Sequence, residues 1–397
     1  MEKNNKSFYG LGIAPKILHL LEKMRFKVPT PIQYKAIPIA IEGKDIIGIA
    51  QTGTGKTMAF GIPMVQRLAN ARSYGLVLVP TRELAYQVDE AITKIGVALG
   101  IRTAVLIGGA SMYNQIKSLR RNPRIIIATP GRLIDHLGQR TFRLDRFSIL
   151  VLDEADRMLD MGFAPQIEKI LYFFPKERQT MLFSATIPDK IVKIATRHMK
   201  LPVGVEIAKS GTAAKNVIQE LFIIKKDDKN ELLMKLLYEY KGTVLIFSRT
   251  KRGAGRITKG LRSLGHSAAE IHSDRSLRQR REALEGFKTG RYRILVATDI
   301  AARGIDVKEI ELVINYDLPD DAENYVHRIG RTGRMEHEGR AISFATPDQR
   351  NEVKYIEKVM QKALPRAKHP EVRPAEFYAP VVRSFRPRRG RSSRRRR

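Results

Sequence analysis

The chain runs to 397 residues with 43% hydrophobic content, more than one ordinary core holds, so two domains and some additional chain are expected. It lacks cysteine, which excludes a disulfide framework, a thiolate metal site and a thiol nucleophile. Neither a membrane-spanning apolar run nor a signal peptide behind Met1-Glu2-Lys3 is expected. Its 72 lysines and arginines against 41 acids give a formal charge of +31, which points to a polyanionic partner, and the missing cysteines fit a reducing cytoplasm.

Ile13, Ile17, Leu18, Leu21 and Met24 recur on one face and predict a helix over residues 11–25. Pro29 and Pro31 then fix a turn, with a second helix starting near Pro31. Gln33 carries an amide that both donates and accepts, as an adenine edge requires; from this segment alone an exposed helix residue is the plainer reading. Residues 45–50 read as a first strand. The loop Gln51-Thr52-Gly53-Thr54-Gly55-Lys56 follows, and a helix from about Thr57. Gly53 and Gly55 let backbone N–H groups converge on phosphates at a helix N-terminus. Lys56 reaches the β- and γ-phosphates, and Thr57 suits Mg²⁺. The strict phosphate-loop pattern has glycine where this chain has Ala50.

A strand-helix rhythm continues. Residues 76–79 lead into a helix carrying Leu84, Val88 and Ile92. Residues 104–107 end at Gly108-Gly109, and residues 125–127 end at Ala128-Thr129-Pro130-Gly131-Arg132. Residues 148–152 end at Asp153-Glu154-Ala155-Asp156, and residues 181–183 at Ser184-Ala185-Thr186. Such alternation predicts an α/β fold with a parallel sheet covered on both faces, its ligands at the carboxyl ends of the strands. Alone, Asp153 and Glu154 are a solvated strand end; the phosphate loop turns them into candidate handlers of magnesium and water. Arg82 and Arg132 are candidates for holding a strand's phosphates.

Residues 206–216 are short, polar and flexible in composition, and a second rhythm follows. Strands are expected at residues 220–224, 244–247, 269–272, 294–297, 312–315 and 341–344. No glycine-rich Lys-Thr loop recurs, so this domain is not expected to bind a nucleotide alone. It offers two charged clusters instead, Thr298 to Asp306 and His327 to Arg334. Arginines spaced by glycines read either as a solvated face or as fingers reaching a γ-phosphate, and the latter is favoured. From about Pro365 apolar periodicity is lost, and residues 383–397 add nine arginines and no acid. That stretch is expected to be disordered and to add nucleic-acid affinity.

Over roughly residues 8–345, these motifs resemble in order those of the DEAD-box RNA helicases of superfamily 2. The chain looks closest to compact prokaryotic, RhlE-like members with a basic tail. The resemblance implies two tandem RecA-like domains with parallel sheets. Residues 1–205 would be an ATP-binding domain, 206–216 a linker, 217–365 a C-terminal helicase domain and 366–397 a disordered basic tail. It implies that Phe8 to Gln33 recognise adenine, with Phe26 on the base, and that Gln51, Thr52, Gly53, Thr54, Gly55, Lys56 and Thr57 cradle ATP. Ala50 is the family's usual residue. Pro80, Thr81, Arg82, Gly108, Gly109, Thr129, Pro130, Gly131 and Arg132 would contact RNA, joined by Arg249 and Thr298 from the second domain. Phe247, Arg249 and Thr250 resemble motif IV.

The catalytic set implied is Lys56, Asp153, Glu154, Arg331 and Arg334. Mg²⁺ would be held through Thr57 and Asp153, partly via water, and Glu154 would orient or deprotonate the attacking water. Gly304 and Asp306 would lie beside the ribose. Ser184, Thr186, His327 and Arg328 would couple ATP state to RNA. Leu277 stands where many members have glutamine, so one local polar contact is expected to be missing, while Arg280 and Phe287 fit. The resemblance thus implies an ATP- and Mg²⁺-dependent RNA helicase, cytoplasmic and monomeric. Its substrate would be RNA, single strand and short duplex, bound largely independently of sequence; it would locally unwind short duplexes or remodel RNA-protein complexes, with ribosome-assembly or RNA-degradation proteins as candidate partners. Two rival readings are an RNA clamp or annealing chaperone whose residence time ATP sets, and a DNA-directed translocase of the same superfamily.

Overall fold

Short aliphatic and β-branched runs form the strands of the computed structural model, which describes residues 7–50, 53–207, 217–302, 310–333 and 338–378. In the first half these are β1 (Ile46–Ile49), β2 (Tyr74–Leu78), β3 (Thr103–Leu106), β4 (Ile125–Ala128), β5 (Phe147–Leu152), β6 (Gln179–Ser184) and β7 (Val203–Glu206). They make one sheet in the order β3-β4-β2-β5-β6-β1-β7, with every pair parallel. Side chains alternate across it: Ile125, Ile127, Ile149, Val151, Met181 and Phe183 enter one apolar core, and Ile126, Ala128, Leu150, Leu152 and Leu182 the other. Helices therefore cover both faces, as a continuously apolar parallel sheet requires.

The second half repeats the plan with β8 (Val217–Ile223), β9 (Val244–Phe247), β10 (Ala268–Ile271), β11 (Ile294–Ala297), β12 (Leu312–Asn315), β13 (Gly339–Ala345) and β14 (Arg366–Ala367). The order is β10-β11-β9-β12-β13-β8-β14, again all parallel. Counted from its own first strand, this is the first sheet's order. No helix among the described residues is long and apolar enough to cross a membrane.

Two expectations are corrected at the boundaries. β7 runs through Glu206, which pairs with Ile49, so the first sheet extends into the stretch read as linker. The second domain does not stop at Pro365. β14 pairs with β8 at Leu221 and Phe222, Val372 is 5% exposed in the second domain's core, and His369 is 3.2 Å from Glu239. Residues 366–378 belong to the fold; the rest of the expected tail, residues 379–397, lies outside the described residues. Burying one valine contributes about 1.5–3 kcal/mol. A chain ending at Pro365 should therefore have a second-domain Tm roughly 5 °C below that of a chain ending at Tyr378. Equal melting temperatures by differential scanning calorimetry would return residues 366–378 to the tail.

Candidate active site and nucleic-acid face

The strand order divides the carboxyl edge of the first sheet. β5, β6 and β1 are neighbours, and the loops after them carry the acids, Ser184-Ala185-Thr186 and the phosphate loop. β3, β4 and β2 are neighbours, and the loops after them carry the glycine pair, Thr129-Pro130-Gly131 and Pro80-Thr81-Arg82.

On the first side, Gly55 caps the Lys56–Asn70 helix in the left-handed conformation (φ 92°), where a side chain would also strike the Gln33 amide. Gln33 is not the exposed residue of the plainer reading. It is 2% exposed because its amide is used twice: Oε1 accepts from Thr30 N–H (3.0 Å), capping the Pro31–Ile41 helix, and Nε2 donates to the Gly55 carbonyl (3.1 Å). The Gln33 segment is thus tied to the loop before the Lys56–Asn70 helix. Phe26 is half-buried against the first domain's core. Lys56 is buried, its Nζ donating to the Ala50 carbonyl at 2.9 Å, and Thr57 stands half-buried in the helix's first turn. Gln51 and Thr52 lie outside the described residues.

Asp153 and Glu154 are 2% and 3% exposed. They are a buried pair, not a solvated strand end. Burial pushes the Asp153 carboxyl up to about 7, against the pull of Lys56. Burial also acts against the charged form of Glu154, but Arg157, Lys56 and Arg331 outweigh it and hold that carboxyl below its ordinary value. Glu154 adopts the left-handed conformation (φ 51°, ψ 51°), uncommon for a residue with a side chain, at the turn from β5 into the Ala155–Asp160 helix. Its Oε2 meets Arg157 Nη1 at 3.2 Å, while Oε1 is buried without a hydrogen-bond partner.

Asp156 performs a separate task. Its Oδ2 accepts from the Ala185 and Thr186 N–H groups (both 3.0 Å) and from Thr186 Oγ1 (3.2 Å), and its own N–H donates to Ser184 Oγ at 3.2 Å. The loop after β6 is thereby fixed to the acidic turn.

The second domain brings the Ala322–Ile329 helix and Arg331 to this site. Arg157, His327, Arg328 and Arg331 line one cavity with Phe247, Asp299 and Asn324. Burial, followed by the Arg157 and Arg331 charges, lowers His327 well below its ordinary pKa, so the ring is neutral; its Nδ1 is buried without a partner. Arg328 is 1% exposed and committed within its own domain. It binds Asp299 through two bonds (2.6 and 2.7 Å), and its Nη1 reaches Asn315 Oδ1 (3.2 Å) and the Asp317 carbonyl (2.6 Å). Arg334, Gly304 and Asp306 lie outside the described residues.

On the other side of the edge, Thr81 caps the Arg82–Gly96 helix. The Arg82 guanidinium lies over Gly108 and Gly109, where a Cβ at Gly109 would collide with it, and Arg132 Nη1 donates to the Ala110 carbonyl at 2.9 Å. Arg82 is lowered by burial and then by the Arg280 charge, with Arg132 adding to it. Guanidinium groups from both domains therefore crowd one place, which favours a polyanion there. Arg280 crosses the cleft to Glu83 (2.7 Å, both buried). Arg249 is engaged by Asp320 and the Leu318 carbonyl, and Thr298 N–H donates to the Ile271 carbonyl at the end of β10.

Residues 30–194 match the DEAD/DEAH box helicase family, and residues 228–336 match the helicase conserved C-terminal domain. The chain belongs to the DEAD-box RNA helicases. It is 45% identical over 369 residues to the ATP-dependent rRNA helicase RRP3 of Debaryomyces hansenii, covering 92% of this chain and 77% of that one. It is 43% identical over 367 residues to the DEAD-box ATP-dependent RNA helicase CshA of Geobacillus kaustophilus, covering 92% and 79%. Among solved structures, S. cerevisiae Dbp5 bound to RNA and ADP BeF3 matches with a TM-score of 0.82 and 33% identity, covering 91% of this helicase and 95% of that chain. Mss116p bound to ssRNA and AMP-PNP matches at 0.83 and 30% identity, covering 90% and 78%. This helicase thus has the two-domain RecA-like fold that the resemblance implied.

Sequence reasoning overlooked Arg157, the Asp156 hub and the Glu83–Arg280 pair. Only Arg157 had a local signal, lying three residues beyond Glu154 at the start of a helix. Asp156→Asn would turn one acceptor toward donors. It should destabilise the first domain by about 2–3 kcal/mol, as hydrogen bonds to a charged group disappear, measured by urea unfolding. An unchanged midpoint would refute the Asp156 hub.

Proposed function

We propose that this ATP-dependent RNA helicase hydrolyses ATP in the cleft between its domains and uses closure of that cleft to separate short RNA duplexes locally. The observation that carries the reading is the surrounding of Glu154: Lys56 and Arg157 from the first domain and Arg331 from the second all act on one buried carboxylate. Glu154 has one oxygen held by Arg157 and the other, Oε1, without a partner and suited to orient or deprotonate a water. Lys56 and Arg331, with Arg334 by resemblance, neutralise the transferring phosphate. Gln33 with Phe26 would take the adenine, so that base binding sets the phosphate loop through the Gly55 carbonyl.

Two features favour a bound nucleotide-metal group: partnerless buried atoms at Glu154 and His327, and a loop that tolerates no side chain at Gly55. Mg²⁺ is an ion that keeps waters and takes one or two protein ligands plus phosphates. Thr57 and Asp153 would hold it, and when bound it supplies charge neutralisation for the phosphates and keeps Asp153 ionised. His327, neutral between Arg157 and Arg331, and Ser184 with Thr186, pinned to Asp156, would carry the state of the site to the RNA face. Arg328 would serve by holding Asp299.

RNA would lie across the loops after β3, β4 and β2, its phosphates on Arg82, Arg132 and the backbone of Gly108, Gly109 and Thr129 to Gly131, with Thr298 and Arg249 opposite. Contacts of this kind are tolerant of sequence. Relatives named as rRNA helicases support structured ribosomal RNA as a target class. The domains are read as residues 7–207 and 217–378, acting as a monomer in the cytoplasm.

Glu154→Gln should lower RNA-stimulated ATP turnover by about 10²–10⁴-fold while leaving RNA binding intact, checked by phosphate release and fluorescence anisotropy. Turnover at the normal rate would remove Glu154 from the chemistry. Deleting residues 383–397 should flatten the salt dependence of RNA affinity by up to about 0.7 slope units for each single-strand phosphate that those arginines neutralise. An unaltered slope would assign them another role.

A further inference from the structure

Away from the nucleotide, the Arg82–Gly96 helix of the first domain lies beside the Leu277–Lys288 helix of the second. Glu83, Tyr86 and Glu90 share one face of the former; Leu277, Arg280, Arg281 and Lys288 share one face of the latter. The buried Glu83–Arg280 pair marks their crossing. On either side of it are contacts that the pair does not require. Leu277, the residue that replaces the family's frequent glutamine, is half-buried and packs on the apolar core of the first domain, not of its own. Arg281 places its guanidinium carbon 3.4 Å from the centroid of the Tyr86 ring, and Tyr86 packs on that same core. The Arg281 charge also acts on Asp89, and that of Lys288 on Glu90. Where a polar contact was expected to be missing at Leu277, an apolar one crosses the cleft instead.

We propose that Leu277 and Arg281 are positioning residues for closure. They form an apolar anchor and a cation on an aromatic ring that hold the second domain in register on the first when nucleotide and RNA are bound together. This rests on the reading that both ligands favour one closed arrangement. Neither residue then touches the ligands, so the pair acts on coupling between ligands and not on either binding event alone. The Leu277 contact is non-directional and indifferent to salt, unlike the phosphate contacts it supports. The Arg281–Tyr86 contact works at an exposed edge, where a cation on a ring is still attractive.

The test compares RNA affinity of the full chain with and without a non-hydrolysable ATP analogue, by anisotropy of a labelled single strand. The coupling factor is the ratio of the two affinities. Leu277→Ala and Arg281→Glu should each cut that factor about fivefold while the nucleotide-free affinity stays within about twofold. Arg281→Lys should retain most of it. In a double-mutant cycle, Tyr86→Leu should add little to Arg281→Glu. Arg281 is exposed, so its variants keep the result interpretable should Leu277→Ala prove unstable. If the unaltered chain couples its ligands and these variants couple them equally well, the proposal is overturned. Equal weakening with and without nucleotide would overturn it too, by making these residues direct RNA contacts. A wild-type factor near one would instead defeat the underlying reading of closure.

Discussion

A carboxylate that is 3% exposed cannot stay ionised without cations around it, and Glu154 draws them from two domains. Arg157 supplies a fixed partner from the next turn of the chain, Lys56 another from the phosphate loop, and Arg331 arrives only with the second domain. The cations acting on Glu154 therefore come from both domains. His327 shifts in the same direction: burial, together with the nearby arginines, keeps its imidazole neutral. The same cations favour the deprotonated form of both groups, which leaves the acid charged and, with burial as the larger cause, the imidazole neutral.

The sheet's strand order turns this local demand into coupling. Strands β5, β6 and β1 deliver the loops proposed to hold the nucleotide, and β3, β4 and β2 deliver the loops that gather Arg82 and Arg132. Both sets of loops leave the same edge of one sheet. Asp156 fastens the loop after β6 to the acidic turn with hydrogen bonds to a single carboxylate oxygen, so the turn and that loop move as a unit. The second sheet repeats the order, placing Thr298 after β11 and Arg249 just beyond β9 on its own corresponding side.

Most strands could be read from the chain because their residues are apolar on both faces and end abruptly in small, hydroxyl or charged residues. β7 and β14 could not. Val203–Glu206 alternates with glycine and acid, and Arg366–Ala367 is two residues with no apolar run; each exists because a neighbouring strand offers an edge. The phosphate loop and the acidic turn were legible as local patterns. The burial of Gln33 was not, since its partners are a helix start and a glycine carbonyl 22 residues away. Nor was the commitment of Arg328 to Asp299, which depends on two clusters folding together. Leu277 read as a deficit for the same reason: its neighbours belong to the other domain.

Between the end of the first sheet at Glu206 and the start of the second at Val217, two sheets with identical strand order, the chain has only residues 207–216. Fully extended, such a stretch spans at most about 35 Å. A connection of that length gives each domain an effective concentration of its partner on the order of millimolar. An interface maintained by so short a tether has no need of high affinity, and an interface of high affinity would not release its products. The joined pair is in effect a dimer whose two halves never dilute away from one another. Weak contacts across the cleft are then sufficient for the proposed closure and compatible with reopening.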